Sequence, residues 1–191
     1  MGEQTVKSGK PWIPVSDAVG LKLGTVSGTG VSVSETWRPV HTSNFPISNL
    51  VVTITDTGGA NGGQGGATIY TFPEGAILIL AAICNLTTVA ATGIVATAAL
   101  VGSIGTVAAG VGDSTLTGTE ANIIASIAGT LSSSAGTLKG FSGAPAAPFD
   151  GTTTPVIARI NLAVPDAGIT ANSTVTLNGS VTLVWILAGD Y

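Results

Sequence analysis

Charged side chains are scarce in this sequence, and their scarcity excludes two broad classes of protein. Asp, Glu, Lys and Arg make up 8% of the 191 residues, whereas 45% of the residues are hydrophobic. Intrinsic disorder depends on high net charge and low hydrophobicity, so this chain is expected to fold. A helical bundle needs Lys, Glu, Gln and Arg on its helix surfaces, and the chain has only six Lys and Arg together. The many Thr and Val residues instead favour half-buried β-strands.

The residue types that usually carry catalysis or hold metals are also scarce. There is one cysteine, Cys84, and one histidine, His41, so neither a disulfide within this chain nor a clustered metal site is expected. Any Ser-His-Asp triad would have to use His41, and no G-x-S-x-G motif accompanies it. We interpret His41 as a loop or surface residue and Cys84 as a small buried hydrophobe. The sequence therefore predicts a protein that is not an enzyme, with no catalytic residue, no cofactor and no metal.

Basic residues are too few and too scattered to form a nucleic-acid-binding surface. None lies between Arg38 and Lys139, and the formal net charge of the chain is −4. Nucleic-acid binding requires clustered positive charge to replace the counterions of the phosphates. We therefore expect no nucleic-acid partner.

A long uncharged stretch, residues 75–112, has two interpretations, a membrane span or a set of strands. A spanning helix needs about twenty mostly apolar residues, usually with Lys or Arg nearby. The dense apolar part, AILILAAIC, has only the length of a strand, and the stretch is flanked by Glu74 and Asp113. Gly and β-branched residues fill the remainder, which favours strands joined by turns. We predict a fully buried strand at its start and no membrane partner.

Alternating hydrophobicity predicts strands on both sides of this stretch, notably in SNLVVTITDT and in the closing STVTLNGSVTLVWILAGDY. In the closing segment, Asn178-Gly179 fits either a tight hairpin turn or a bulge in one long strand. We favour the long strand, because the preceding PDAGITANS already supplies a turn. The glycine-rich residues 58–66 are expected to form a flexible surface loop, and residues 132–155 a long loop.

One segment, residues 117–131, has the features of a short helix. Thr117 and Glu120 have the spacing of a capping box. The apolar residues that would share one helical face are Ile123, Ile124, Ile127 and Leu131. Elsewhere strand follows strand without helical crossovers, which excludes a parallel α/β architecture. The predicted fold is therefore all-β, a jelly-roll-like antiparallel β-sandwich with one short helix.

The beginning of the chain differs from the rest in composition. Residues 1–36 contain Lys, Pro and the run GTVSGTGVSVSET, which predicts an extended N-terminal arm preceding a β-sandwich domain of residues 37–191. Trp12 either packs on its own domain or anchors the arm in a pocket of a partner. The candidate partner-binding residues of the arm are Lys7, Lys10, Pro11, Trp12 and Pro14.

Most of residues 50–191 resembles structural proteins of tailed bacteriophages. The similar parts are TITDTGGANGGQGGATIYTFPEGAILILAA, LTGTEANII and DGTTTPVIARINLAVPDAGITANSTVTLNGSVTLVWILAGDY. The similarity lies in the overall pattern and includes no catalytic motif. Among phage proteins, the chain looks like a capsid decoration protein, also called a cement protein.

The resemblance implies a virion structural protein that forms symmetric homo-oligomers and bridges capsomers on the outer surface of the icosahedral head. Its expected partners are the major capsid protein and other copies of itself, in a homotrimer or, as the second choice, a dimer. Its expected location is the capsid surface of the virion, after synthesis in the host cytoplasm. The alternative is a head-fibre or tail module that binds a receptor, and a less favoured one is the major capsid protein itself.

Overall fold

The computed structural model describes residues 24–36, 40–58, 62–94, 98–110, 115–130, 136–142 and 148–189. These residues form eleven β-strands. In chain order the strands are β1 (Thr25–Val26), β2 (Ser34–Thr36), β3 (His41–Asp56), β4 (Gly63–Thr71), β5 (Gly75–Ile94), β6 (Ala99–Gly105), β7 (Ile124–Thr130), β8 (Gly136–Ser142), β9 (Phe149–Gly151), β10 (Ile157–Val164) and β11 (Ile169–Gly189). Single 3-10 turns lie at Thr119–Ala121 and Asp166–Gly168.

The strands form one antiparallel path that curls into two facing halves. Its order is β7-β6-β10-β4-β3-β11-β5-β8, with β1 on β4, β2 on β3 and β9 on β5. β3 and β4 pair only at their last and first residues, Asp56 and Gly63, and at the neighbouring residues. Across the resulting fold, the Tyr70 ring of β4 contacts Phe45 of β3 and Trp185 of β11 at centroid distances of 5.0 and 6.3 Å. The prediction of an all-β, antiparallel sandwich is confirmed.

The alternation of side chains along the long strands creates the core between the two halves. On β11, the inward residues are 0% exposed: Val175, Leu177, Val181, Leu183 and Trp185. On β5, Ile79 and Cys84 point inward, whereas Ile83 is 50% exposed. The prediction of a fully buried strand at this position is therefore wrong, because β5 covers the core with one face only. The buried, hydrophobic role predicted for Cys84 is confirmed.

The closing segment forms the single long strand that the sequence favoured over a hairpin. β11 spans 21 residues, and its pairing with β3 shifts register between Leu177 and Gly179. Gly179 has a φ of 134°, and a Cβ there would lie 2.1 Å from the backbone oxygen of Asn85 on β5. Glycine is therefore required at this bulge, both for its backbone conformation and for the close approach of β5.

The predicted helix at residues 117–131 is wrong. Only Thr119–Ala121 make a helical turn, and Ile124 and Ile127 lie in β7. The backbone N–H of Ile123 donates to the carbonyl of Ile104 at 3.0 Å, and Ile124 is paired with Ile104. The edge of β6 offers backbone hydrogen bonds along its length, and β-branched side chains pack well on a pleated surface. Tertiary pairing therefore overrides the local helical pattern.

Two segments expected to be loops also contain strands. Most of the second half of the glycine-rich segment belongs to β4, which begins at Gly63, and residues 132–155 include β8 and β9. A Cβ at Gly65 would lie 1.9 Å from the backbone oxygen of Thr53. Glycine at this position therefore allows β3 and β4 to approach closely. The glycine content of the segment had instead predicted a flexible loop.

Part of the predicted arm is hydrogen-bonded to the domain. Thr25 pairs with Thr71 of β4, and Ser34 pairs with Asn44 of β3. The backbone N–H of Gly24 donates to the Tyr70 hydroxyl at 2.9 Å. Residues 24–36 therefore extend the sheet.

Replacing Gly179 by Ala is expected to lower the free energy of unfolding by about 2 kcal/mol or more, because a Cβ collides with rigid backbone at an unfavourable φ. Gly58→Ala is the matched control. Gly58 also has a positive φ, 67°, but a Cβ there meets nothing within 4 Å, so its expected cost is about 1 kcal/mol. Urea unfolding at one fixed protein concentration measures both, and equal losses would contradict the assigned packing.

Candidate interaction surface

His41, the only histidine, lies inside the core and not on the surface as predicted. Its side chain is 2% exposed, and its ring stacks on Trp185 with 4.2 Å between centroids and 13° between planes. The Trp185 indole Nε1–H donates to Ser43 Oγ at 2.8 Å. The prediction failed because Trp185, on the neighbouring strand β11, stacks on the His41 ring. These side chains are packed inside the domain, so a substrate does not reach them.

A second cluster of buried polar groups is centred on Asn161 of β10, and its hydrogen bonds have a structural role. The Asn161 amide Nδ2 donates to the carbonyls of Val107 and Glu120 at 3.0 and 2.8 Å. Its Oδ1 accepts from the backbone N–H of Ala109 at 3.0 Å, and Ser103 Oγ donates to the Glu120 carbonyl at 2.7 Å. All four bonds go to backbone groups of the segment between β6 and β7. The side chain therefore holds that segment in place.

Two surface cavities among the described residues lack the arrangement of a reactive site. Arg159 Nη1 donates to Thr68 Oγ1 at 2.6 Å at the edge of one of them. In the other, the Asp150 carboxylate accepts from the Thr152 hydroxyl at 2.7 Å and from its backbone N–H at 3.0 Å. These bonds lower the pKa of Asp150, so it is ionised at neutral pH and unsuited to act as a general acid. The cavities are lined by Gly28, Thr29, Asn49, Leu50, Val51, Ala67 and Thr68, and by Thr106, Phe149, Asp150, Thr154, Pro155, Val156 and Ile157.

Neither a metal centre nor a helical membrane span is found in the described part of the chain. No group of three or more His, Cys, Asp or Glu side chains there is placed to hold a metal ion. No helix among the same residues has the length and hydrophobicity of a membrane span.

The most distinctive surface is the side of β3, β5 and β11 that points away from the core, here called the uncharged face. These are the three longest strands, with 16, 20 and 21 residues. From His41 to Thr55, and throughout β5 and β11, the sequence has no Asp, Glu, Lys or Arg. β11 lies between the other two strands and pairs with both. The outward surface of these three strands, up to Thr55 on β3, therefore carries no ionised side chain, and the exposed Asp150 of β9, opposite Ala76 of β5, lies at its border.

Cross-strand pairing determines which side chains share the uncharged face, because directly opposed residues project to the same side. At the end near the C-terminus of β11, Ile186 is opposite Leu78 and Val184 is opposite Ala81. These four residues and Ile83, which lies opposite Thr182, form an apolar patch.

Hydroxyl and amide side chains occupy most of the rest of the uncharged face, where Val51 of β3 is also 54% exposed. Thr182 Oγ1 donates to Asn44 Oδ1 at 3.1 Å, and the hydroxyls of Thr92 and Thr174 are 2.6 Å apart. Depletion of charged side chains is typical of the central part of protein–protein interfaces. The uncharged face is therefore the candidate functional site.

The candidate partner-binding residues that were predicted from the sequence are not those of the uncharged face. Lys7, Lys10, Pro11, Trp12 and Pro14 lie outside the described residues, and their role in partner binding stays a prediction. The signal that identifies the uncharged face is present in the sequence, because three alternating segments lack charge on both of their faces. Only the register of β11 shows that the three segments lie side by side.

No protein-family model matches the chain, and no curated protein matches it either.

Replacing Asn161 by Leu is expected to lower the free energy of unfolding by about 3 kcal/mol or more, because several backbone groups lose their buried hydrogen-bond partner. Thr153→Leu, a polar-to-leucine change at an exposed residue, should alter it by less than about 0.5 kcal/mol. Thermal or urea unfolding measures both variants. A stable Asn161→Leu protein would show that the segment between β6 and β7 is held by other contacts.

Proposed function

We propose that this protein is a virion structural protein, a capsid decoration or cement protein that binds the outer surface of an icosahedral bacteriophage head and bridges capsomers. The observation that carries the proposal is the uncharged face of an all-β chain. A decoration protein acts through buried area and symmetry, and a large surface without charge is suited to contact with protein. The resemblance of residues 50–191 to tailed-phage structural proteins supports the same assignment.

The mechanism that we propose divides the work between the domain and the predicted arm. The β-sandwich domain self-associates. The oligomer that we propose is a homotrimer, and the second choice is a dimer. Lys7, Lys10, Pro11, Trp12 and Pro14 contact the major capsid protein or an adjacent copy. Attachment of one oligomer at several symmetry-related positions converts weak individual contacts into high avidity. The head is reinforced because each oligomer links neighbouring capsomers.

Co-sedimentation with undecorated capsids of the phage that encodes the protein tests this proposal. We expect saturable binding of the full chain at a stoichiometry that matches a symmetry axis of the shell. A chain lacking residues 1–23 keeps residues 24–36, which pair with β3 and β4, so it should fold and oligomerise but lose binding. Trp12→Ala should weaken binding about tenfold or more if this aromatic is the anchor.

Lys22→Glu is the control, since Lys22 is a basic residue before residue 24 that is outside the proposed contact set. Its binding should stay close to that of the parent chain, whereas Lys7→Glu with Lys10→Glu should weaken binding. Saturable binding by the chain that lacks residues 1–23 would contradict the arm's role. Absence of any binding by the full, folded chain would contradict the decoration function and favour a head-fibre or tail module.

A further inference from the structure

We infer that the uncharged face is the surface through which copies of this chain bind one another. The apolar patch lies near one end of this face, and its most accessible member, Ile83, is 50% exposed. Thr182 is directly opposite Ile83 on β11, and Val184 and Ile186 follow on the same side. Apolar side chains clustered on a sheet surface are stabilised when a second protein surface covers them.

The chemistry of the face favours a second copy over a partner of different composition. A partner with a strongly acidic or basic surface would have its charges removed from water without receiving any opposite charge from the uncharged face, which is costly. Two uncharged faces meet without repulsion in any relative orientation. The Thr and Ser hydroxyls that occupy much of the face, such as those of Thr92 and Thr174, both donate and accept hydrogen bonds. A surface built from such groups is complementary to itself, and two copies that meet through it form a twofold dimer, which is the second of the two oligomeric states proposed above.

The size of the face agrees with that of a stable interface between subunits. Three strands of 16, 20 and 21 residues, about 4.8 Å apart and with about 3.3 Å per residue, cover about 900 Å². Stable protein–protein interfaces bury about 800 Å² on each partner. The face therefore provides the area of one complete subunit interface. This inference rests on the proposed function only in treating the protein as a homo-oligomeric component of an assembly.

Sedimentation velocity of the full chain across a range of concentrations, with two lysine variants, tests this inference. The parent chain should sediment as an oligomer of its 18.7 kDa subunit. Ile83→Lys places an ammonium group in the apolar patch of the interface, and self-association should weaken by about 30-fold or more. Val107→Lys is the matched control, because Val107 is also 50% exposed but follows β6 in the other half of the sandwich. Its oligomer should remain intact.

Thr182→Lys, opposite Ile83, is a second variant that decides the question if Ile83→Lys does not fold, as judged by circular dichroism. A parent chain that is monomeric up to high concentration would overturn the inference. So would an oligomer that survives both Ile83→Lys and Thr182→Lys. Capsid co-sedimentation of the same variants separates the two proposals. Oligomers that persist but lose capsid binding would assign the face to the capsid, whereas a monomeric parent that still binds capsids would leave the decoration function standing alone.

Discussion

The register of β11 is the constraint on which the rest of the structure depends. This strand pairs with β3 on one side and with β5 on the other along most of its length. Because side chains alternate between the two faces of a strand, a slip by one residue would exchange the core and the surface. Trp185, Leu183 and Val181 would leave the core, and the neutral residues between them would enter it. Gly179 favours this register, because a side chain at the position opposite Leu86 would collide with the backbone of β5.

The same alternation gives the long strands an inward surface that packs in the core and an outward surface that carries the apolar patch. The inward surface of the long strands meets the other half of the sandwich, where Tyr70 contacts Phe45 and Trp185. The outward surface carries Leu78, Ile83 and Ile186 beside neutral hydroxyl and amide groups. A chain that needed only to fold would gain from charged residues on its outer face, because they oppose aggregation of exposed strands. Their absence from three adjacent strands is consistent with a face that is covered by protein in the assembled state.

The strands and much of the core follow from the sequence because period-two alternation is a local property. The long closing strand with a bulge at Gly179 was predictable for this reason. The helix at residues 117–131 was not excluded by local pattern, because Ile124 and Ile127 enter the sheet only when the edge of β6 is available. The interior position of His41 depends on Trp185, which is remote in sequence. Local sequence therefore did not reveal the contact, and His41 was predicted to lie in a loop or on the surface. The lack of charge on the three strands was visible from the start, but their arrangement into one face required the register.

The measurement that tests the central claim most directly is a reconstruction by electron cryo-microscopy of the phage head to which we propose that this protein binds. The account predicts density for this β-sandwich on the outside of the shell, with the face formed by β3, β5 and β11 buried between copies of the chain. A head whose outer density lacks this fold would contradict the proposed function. Density that contains the fold with this face open to solvent would contradict the claim that its lack of charge reflects contact between subunits.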